Sequence, residues 1–182
     1  MTTTAALEAQ LEHLRAAPAD SGTLAMVVRR PEAGVRELLD EGRLDEAEGL
    51  VGDNWLSRAT SRAIADGRHL DAMITVMSAR MATLLADDDA TRALAGDQLY
   101  VDLDLSHDNL PAGSRIAIGD DAVLEVSAKP HAGCKKFLAR FGPDALAFVN
   151  SEAGSRMRLR GLNARVVHGG RICPGDAVRR LA

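Results

Sequence analysis

The sequence is poor in aromatic residues, with one Trp, one Tyr and three Phe among 182 residues. Five rings, scattered from Trp55 to Phe148, are too few for a base-stacking platform. Only two cysteines occur, Cys134 and Cys173, which excludes a disulfide-stapled secreted scaffold and leaves at most one bridge. No apolar run approaches the roughly 18 residues of a membrane span. The opening stretch MTTTAALEAQLEHLRAA lacks the basic and apolar regions of a signal peptide. A soluble, cytoplasmic, bacterial protein without membrane association is the expectation. A net charge of −4 and a pI of about 5.7 exclude a nucleic-acid binder held by bulk charge. The glycines form neither a Walker loop nor a dinucleotide fingerprint, and no Gly-x-Ser-x-Gly element is present. Nucleotide hydrolysis, hydride transfer and serine hydrolysis therefore rank low.

What is present suits one globular domain with an added helix: 46% hydrophobic and 26% charged residues can pack a core. The charge is uneven. Residues 1–91 carry 9 Arg against 16 acids, whereas residues 92–182 carry 13 Lys plus Arg against 10 acids. Arginine outnumbers lysine 19 to 3, as in a GC-rich genome, and the three lysines (Lys129, Lys135, Lys136) lie within eight positions of one another. They surround Cys134.

Periodicity predicts a helix over residues 4–17, then a strand at TLAMVVRR (23–30) closed by Pro31. An acidic helical piece is expected around VRELLDE, followed by turns at Gly49 and Gly52. Ile74–Met77 reads as a strand, and SARMATLLA as a helix capped by Ser78. LYVDLDL (99–105) alternates as a half-buried strand should. SRIAIG and AVLEVSA form a hairpin across Gly119-Asp120-Asp121. GCKKFLARFG reads as a short helix ended by Gly142 and Pro143, with a further helical turn in PDALAFVN. The stretch RLRGLNARVV, then GG, then RICPGDAVRRL, reads as a final hairpin. Many short strands with glycine turns and a few helices predict a mixed α/β, mainly β protein. Its architecture would be a β-barrel with peripheral helices and an N-terminal helix, divided into residues 1–22 (helix and linker) and 23–182 (barrel).

Cys134 opens the short helix and is followed by two lysines, with Arg140 on the same element. A helix N-terminus and nearby cations favour thiolate over thiol and also attract anions. The alternative is an inert cysteine beside solvated lysines. His131 can serve as base or hydrogen-bond partner to that thiolate, or lie merely exposed. His131 and Cys134 with His168 and Cys173 offer the four ligands of a structural zinc, but a half-buried strand position is the preferred reading of Cys173. If residues 156–160 were a strand, Arg156, Arg158 and Arg160 would share a face able to hold phosphate or carboxylate, or would simply be solvated.

LPAGSRIAIGDDAVLEVS leading into Pro130–Cys134, the closing RGLNARVVHGGRICPGDAV, and GLVGDNW followed by ITVMSARMATLLA together resemble the MOSC family, the molybdenum cofactor sulfurase C-terminal domain. The resemblance spans about residues 24–180. It implies a β-barrel with one functional cysteine at the position of Cys134, which either ligates molybdenum in a pterin cofactor or carries sulfur. Where family members often have Arg-x-Pro-Cys, this chain has Lys129-Pro130-His131-Ala132-Gly133-Cys134. The larger members' additional N-terminal sheet domain has no counterpart in the residues read here. The expected site is therefore a basic cleft centred on Cys134 and His131, with Lys129, Lys135, Lys136, Asn150, Arg156 and Arg160 holding an anionic small molecule or cofactor. The expected role is a sulfur transferase or a component working with a partner oxidoreductase. The alternatives are a cofactor-independent cysteine nucleophile and a non-catalytic cofactor carrier.

Overall fold

The computed structural model describes residues 3–181; Met1, Thr2 and Ala182, the ends of the two expected segments, lie outside the described residues. Eleven strands are formed among them: β1 (Ser21–Arg29), β2 (Glu37–Leu39), β3 (Gly42–Asp45), β4 (Gly49–Leu50), β5 (Ile74–Ser78), β6 (Leu99–Asp102), β7 (Arg115–Ile118), β8 (Ala122–Val126), β9 (Leu162–His168), β10 (Gly170–Ile172) and β11 (Ala177–Arg180). Seven of them close a barrel in the order β1-β11-β7-β8-β9-β5-β6, and β2 is added beside β1. Closure depends on the length of β1. Its first residues pair with β11, Ser21 opposite Arg179, while Val27–Arg29 pair with β2 and the middle with β6. A register shift between Leu24 and Met26 bends β1 enough to serve all three partners. The parallel pair β5–β6 is linked, as parallel strands require, by a helical crossover: α4 (Ala79–Leu85) and α5 (Asp89–Ala93). β10, β3 and β4 make a separate small sheet.

Two cores follow from strand alternation. Leu24, Val27, Ile74, Val76, Leu99, Val101, Leu124 and Leu162 point into the barrel. Met26, Val28, Met77 and Tyr100 point outward beneath a helical layer. That layer contains α1 (Thr4–Glu8), α2 (Leu11–Arg15), α4, α5, α6 (Lys135–Asn150) and α7 (Glu152–Arg156), while α3 (Ser61–Ala65) buries none of its residues. Phe137, Phe141, Ala145 and Phe148, spaced three or four apart, give α6 its buried face. Gly142 adopts φ +85° ahead of Pro143 and kinks the element into the two helical pieces predicted.

Several expectations need correction. The single helix over 4–17 is two short ones, broken at Ala9–Gln10. Both bury leucines (Leu7, Leu14) in the helical layer, and the boundary expected after residue 22 falls inside β1. The helix expected around VRELLDE is instead β2, because a free stretch of β1 offers its backbone groups to Glu37–Leu39. The final hairpin does not form: β9 pairs with β5 and β8, β10 with β3, and β11 with β7 and β1. No helix among the described residues is long and apolar enough to cross a membrane.

Candidate functional site

The segment between β8 and α6 carries the cysteine, and side chains from neighbouring elements fix its course. Ser127 Oγ donates to the carbonyl of Asp71 at 2.6 Å. Asn163, buried on β9, donates from Nδ2 to the carbonyls of Lys129 (3.2 Å) and Pro130 (3.1 Å). Asn150, at the far end of α6, accepts from Gly133 N at 2.8 Å and donates back to its carbonyl. Held in this way, Cys134 becomes the extended residue immediately before α6.

The Cys134 thiol is exposed and free. Partial burial pushes its pKa up, but the backbone amides of Phe137 and Lys136 and the charges of Arg160 and Lys136 outweigh this and hold it below the usual thiol value. The sulfur makes no cap hydrogen bond. The amides therefore act as nearby positive dipoles rather than as a formed hydrogen bond.

Cys134 opens onto a cleft of about 600 Å³ that also receives His131, Lys136, Arg30, Arg36, Arg58, Arg140 and Arg160. Carboxylates account for only part of this charge. Arg30 and Asp53, both buried, form a bidentate pair at 2.8 Å on each oxygen. Arg160 is paired with Asp97 at 2.5 Å. Arg36 donates to its own neighbour's carbonyl, Val35 O, and its buried Nε has no partner. Arg140 donates to the carbonyl of Leu94. No carboxylate partner is formed by Arg36, Arg58, Arg140 or Lys136 among the described residues. Burial, followed by the charges of Arg140, Arg30 and Arg58, lowers the pKa of Arg36. Glu32 is the one carboxylate lining the cleft and forms no ion pair with these cations among the described residues. Cations in such excess repel one another, and an anionic ligand relieves that repulsion.

Of the residues anticipated from sequence, Cys134, His131, Lys136 and Arg160 meet in this cleft. Lys129 lines the two adjoining cavities instead. Lys135 is exposed and lines no cavity described here. Asn150 holds the cysteine segment from behind. Arg156 pairs with Asp108 at 2.9 Å in a separate groove beside the N-terminal helices. The strand expected to align Arg156, Arg158 and Arg160 is a helix end and turn, closed by Gly161 at φ +113°. The zinc set does not assemble: His168 Nδ1 lies 2.9 Å from the Asp121 carbonyl near β10, and no cluster of three or more ligands exists among the described residues.

The residues missed were Arg30, Asp53, Arg36, Arg58 and Asp97. GLVGDNW, which contains Asp53, was read for its turns at Gly49 and Gly52 and for the family resemblance, with no role given to the acid. Nothing local marks Asp97, an isolated acid before a strand.

A seven-stranded barrel of mostly antiparallel strands, with a lone cysteine at a helix start in a cationic cleft, defines the class. Residues 75–179 match the model of the MOSC domain, and the chain belongs to that family. Among solved structures it is similar to the YuaD protein of Bacillus subtilis (17% identity over 87% of this chain and 94% of that one, TM-score 0.59). It is also similar to YiiM from Geobacillus stearothermophilus (14% identity, 88% and 75% covered, TM-score 0.60). YiiM from Escherichia coli is a further neighbour (18% identity, 88% and 70% covered, TM-score 0.53). No curated protein matches the chain significantly.

Proposed function

We propose that the cleft holds an anionic ligand, a molybdenum-pterin cofactor or a sulfur-bearing molecule, with the Cys134 thiolate as its reactive atom. The observation carrying this reading is the set of cations around Cys134 that lack carboxylates, together with the unpartnered buried Nε of Arg36. Family membership supports a molybdenum-cofactor-related role. The donor set fits such a group in one respect. Cys134 is the only soft donor in the cleft, so a metal would need to arrive already held by an organic ligand. Arg36, Arg140, Arg58 and Lys136 would hold the ligand's oxyanions, and when bound the cofactor would supply redox chemistry at the metal. Sulfur carriage needs only the thiolate and the same cations.

The test is the composition of the protein purified from its own cells. Metal analysis and pterin fluorescence should show molybdenum and pterin in matching amounts, both lost in Cys134→Ser if the thiolate is a ligand. Cyanide-labile sulfur without metal would select the carrier reading. Absence of metal, pterin and labile sulfur would overturn both.

A further inference from the structure

Behind Cys134 lies a buried polar assembly that the reading above leaves unused. Asp97, with no exposed surface in its side chain, accepts from His131 Nε2 on one oxygen at 2.7 Å and from Arg160 Nη1 on the other at 2.5 Å. Arg160 is itself buried and gives Nη2 to the Ala95 carbonyl. We propose that Asp97 is a positioning residue that locks His131 as the Nε2–H tautomer, leaving Nδ1 as an acceptor for an N–H or O–H of the ligand in the Cys134 cleft. This rests on the cleft being a ligand site.

Burial alone would keep Asp97 protonated, but the Arg160 guanidinium and the His131 ring, each hydrogen-bonded to it, hold its carboxyl well below the ordinary range. An ionised carboxylate only accepts, so the hydrogen between the two residues belongs to Nε2. A neutral imidazole then presents Nδ1 as a lone pair. Nδ1 has no hydrogen-bond partner among the described residues, and His131 lines the same cavity as Cys134 and Lys136.

The ring cannot readily turn over. A flip about its Cβ–Cγ bond would set Cε1 against Asp97 Oδ1 and break the 2.7 Å hydrogen bond, while Asn163 pins the preceding backbone through Lys129 O and Pro130 O. An acceptor at Nδ1 among these cations selects a ligand that combines an oxyanion with a hydrogen-bond donor.

The ¹⁵N resonances of the His131 ring test this directly, followed upward in pH until they no longer move. The expected result is two widely separated shifts with the hydrogen on Nε2; averaged shifts, or the hydrogen on Nδ1, would overturn the proposal. In Asp97→Asn the two shifts should converge. Should that variant not fold, the wild-type spectrum still decides. Glycerol 3-phosphate, an oxyanion with hydroxyl donors, should move Nδ1 further than inorganic phosphate does. Arginine side-chain shifts in the cleft without any at Nδ1 would overturn the acceptor role while sparing the anion site. Shifts at neither would overturn the anion site and the acceptor role together.

Discussion

At the scale of single residues, the chemistry turns on which cations lack a carboxylate. The sequence drew attention to Lys129, Lys135 and Lys136 because lysine is rare; of these only Lys136 lines the cleft. The arginines matter more. Replacing Arg36 or Arg140 with Gln should weaken phosphate binding about ten-fold, since a charge-assisted hydrogen bond contributes on the order of 1.5–3 kcal/mol. Lys135→Gln should leave it unchanged. Calorimetry at fixed salt makes the comparison; equal affinities for wild type and Arg36→Gln would place the anion elsewhere. Cys134 should alkylate with iodoacetamide along a pH profile whose midpoint lies below the roughly 8.5 of a free thiol, because adjacent amides and cations outweigh partial burial. A midpoint at or above that value would make Cys134 an ordinary surface thiol.

At the scale of elements, the cysteine segment is shaped by its neighbours rather than by itself. Asn163 on β9 and Asn150 on α6 satisfy the backbone of residues 129–133 from two sides. Asn163→Ala removes two hydrogen bonds from a buried position and should cost about 1–3 kcal/mol. It should also move the Cys134 alkylation midpoint upward as the sulfur loses its fixed place above α6. Denaturant unfolding and the alkylation profile measure the two effects separately. Gly161, at φ +113°, places its missing side chain against Val76 O, where a Cβ would come within 2.1 Å. Gly161→Ala should therefore be more damaging than Gly113→Ala, since Gly113 also has positive φ but opens to free space. Comparable thermal midpoints for the two variants would contradict this.

At the scale of the whole molecule, the buried pairs Arg30–Asp53 and Arg160–Asp97 tie the barrel to the segments that line the cleft. Asp53 also accepts from the backbone of Arg30 and Trp55, so it joins the end of β1 to the stretch before the 3-10 turn Leu56–Arg58. Asp53→Ala strands a buried guanidinium and should cost about 3–5 kcal/mol in denaturant unfolding. Acid should act through Asp97. Its folded carboxyl titrates below its unfolded value, so its contribution to stability is present above about pH 4 and is lost as pH falls further. Unfolding free energy measured against pH should thus drop below about pH 4 in wild type, and less steeply in a folded Asp97→Asn protein.

Alternation in SRIAIG and AVLEVSA, with Gly119 at φ +63° between them, determined a hairpin that pairs Ile118 with Ala122. Ser78 at the head of SARMATLLA determined a capped helix, and its hydroxyl does accept from Met81 N. Cys134 at the start of a helix, with a cationic neighbour two residues on, was equally legible, because capping and dipole effects act within one turn. The tertiary structure alone decided which arginines surround it. Arg30, Arg36 and Arg58 come from the first third of the chain and meet Arg140 and Arg160 only because β1 and β6 pair and the barrel closes through β11. It also decided that VRELLDE becomes a strand, since an open edge outweighs local helix propensity, and that Asp97 lies between His131 and Arg160. Such contacts join residues 34 and 63 positions apart, beyond anything local spacing encodes.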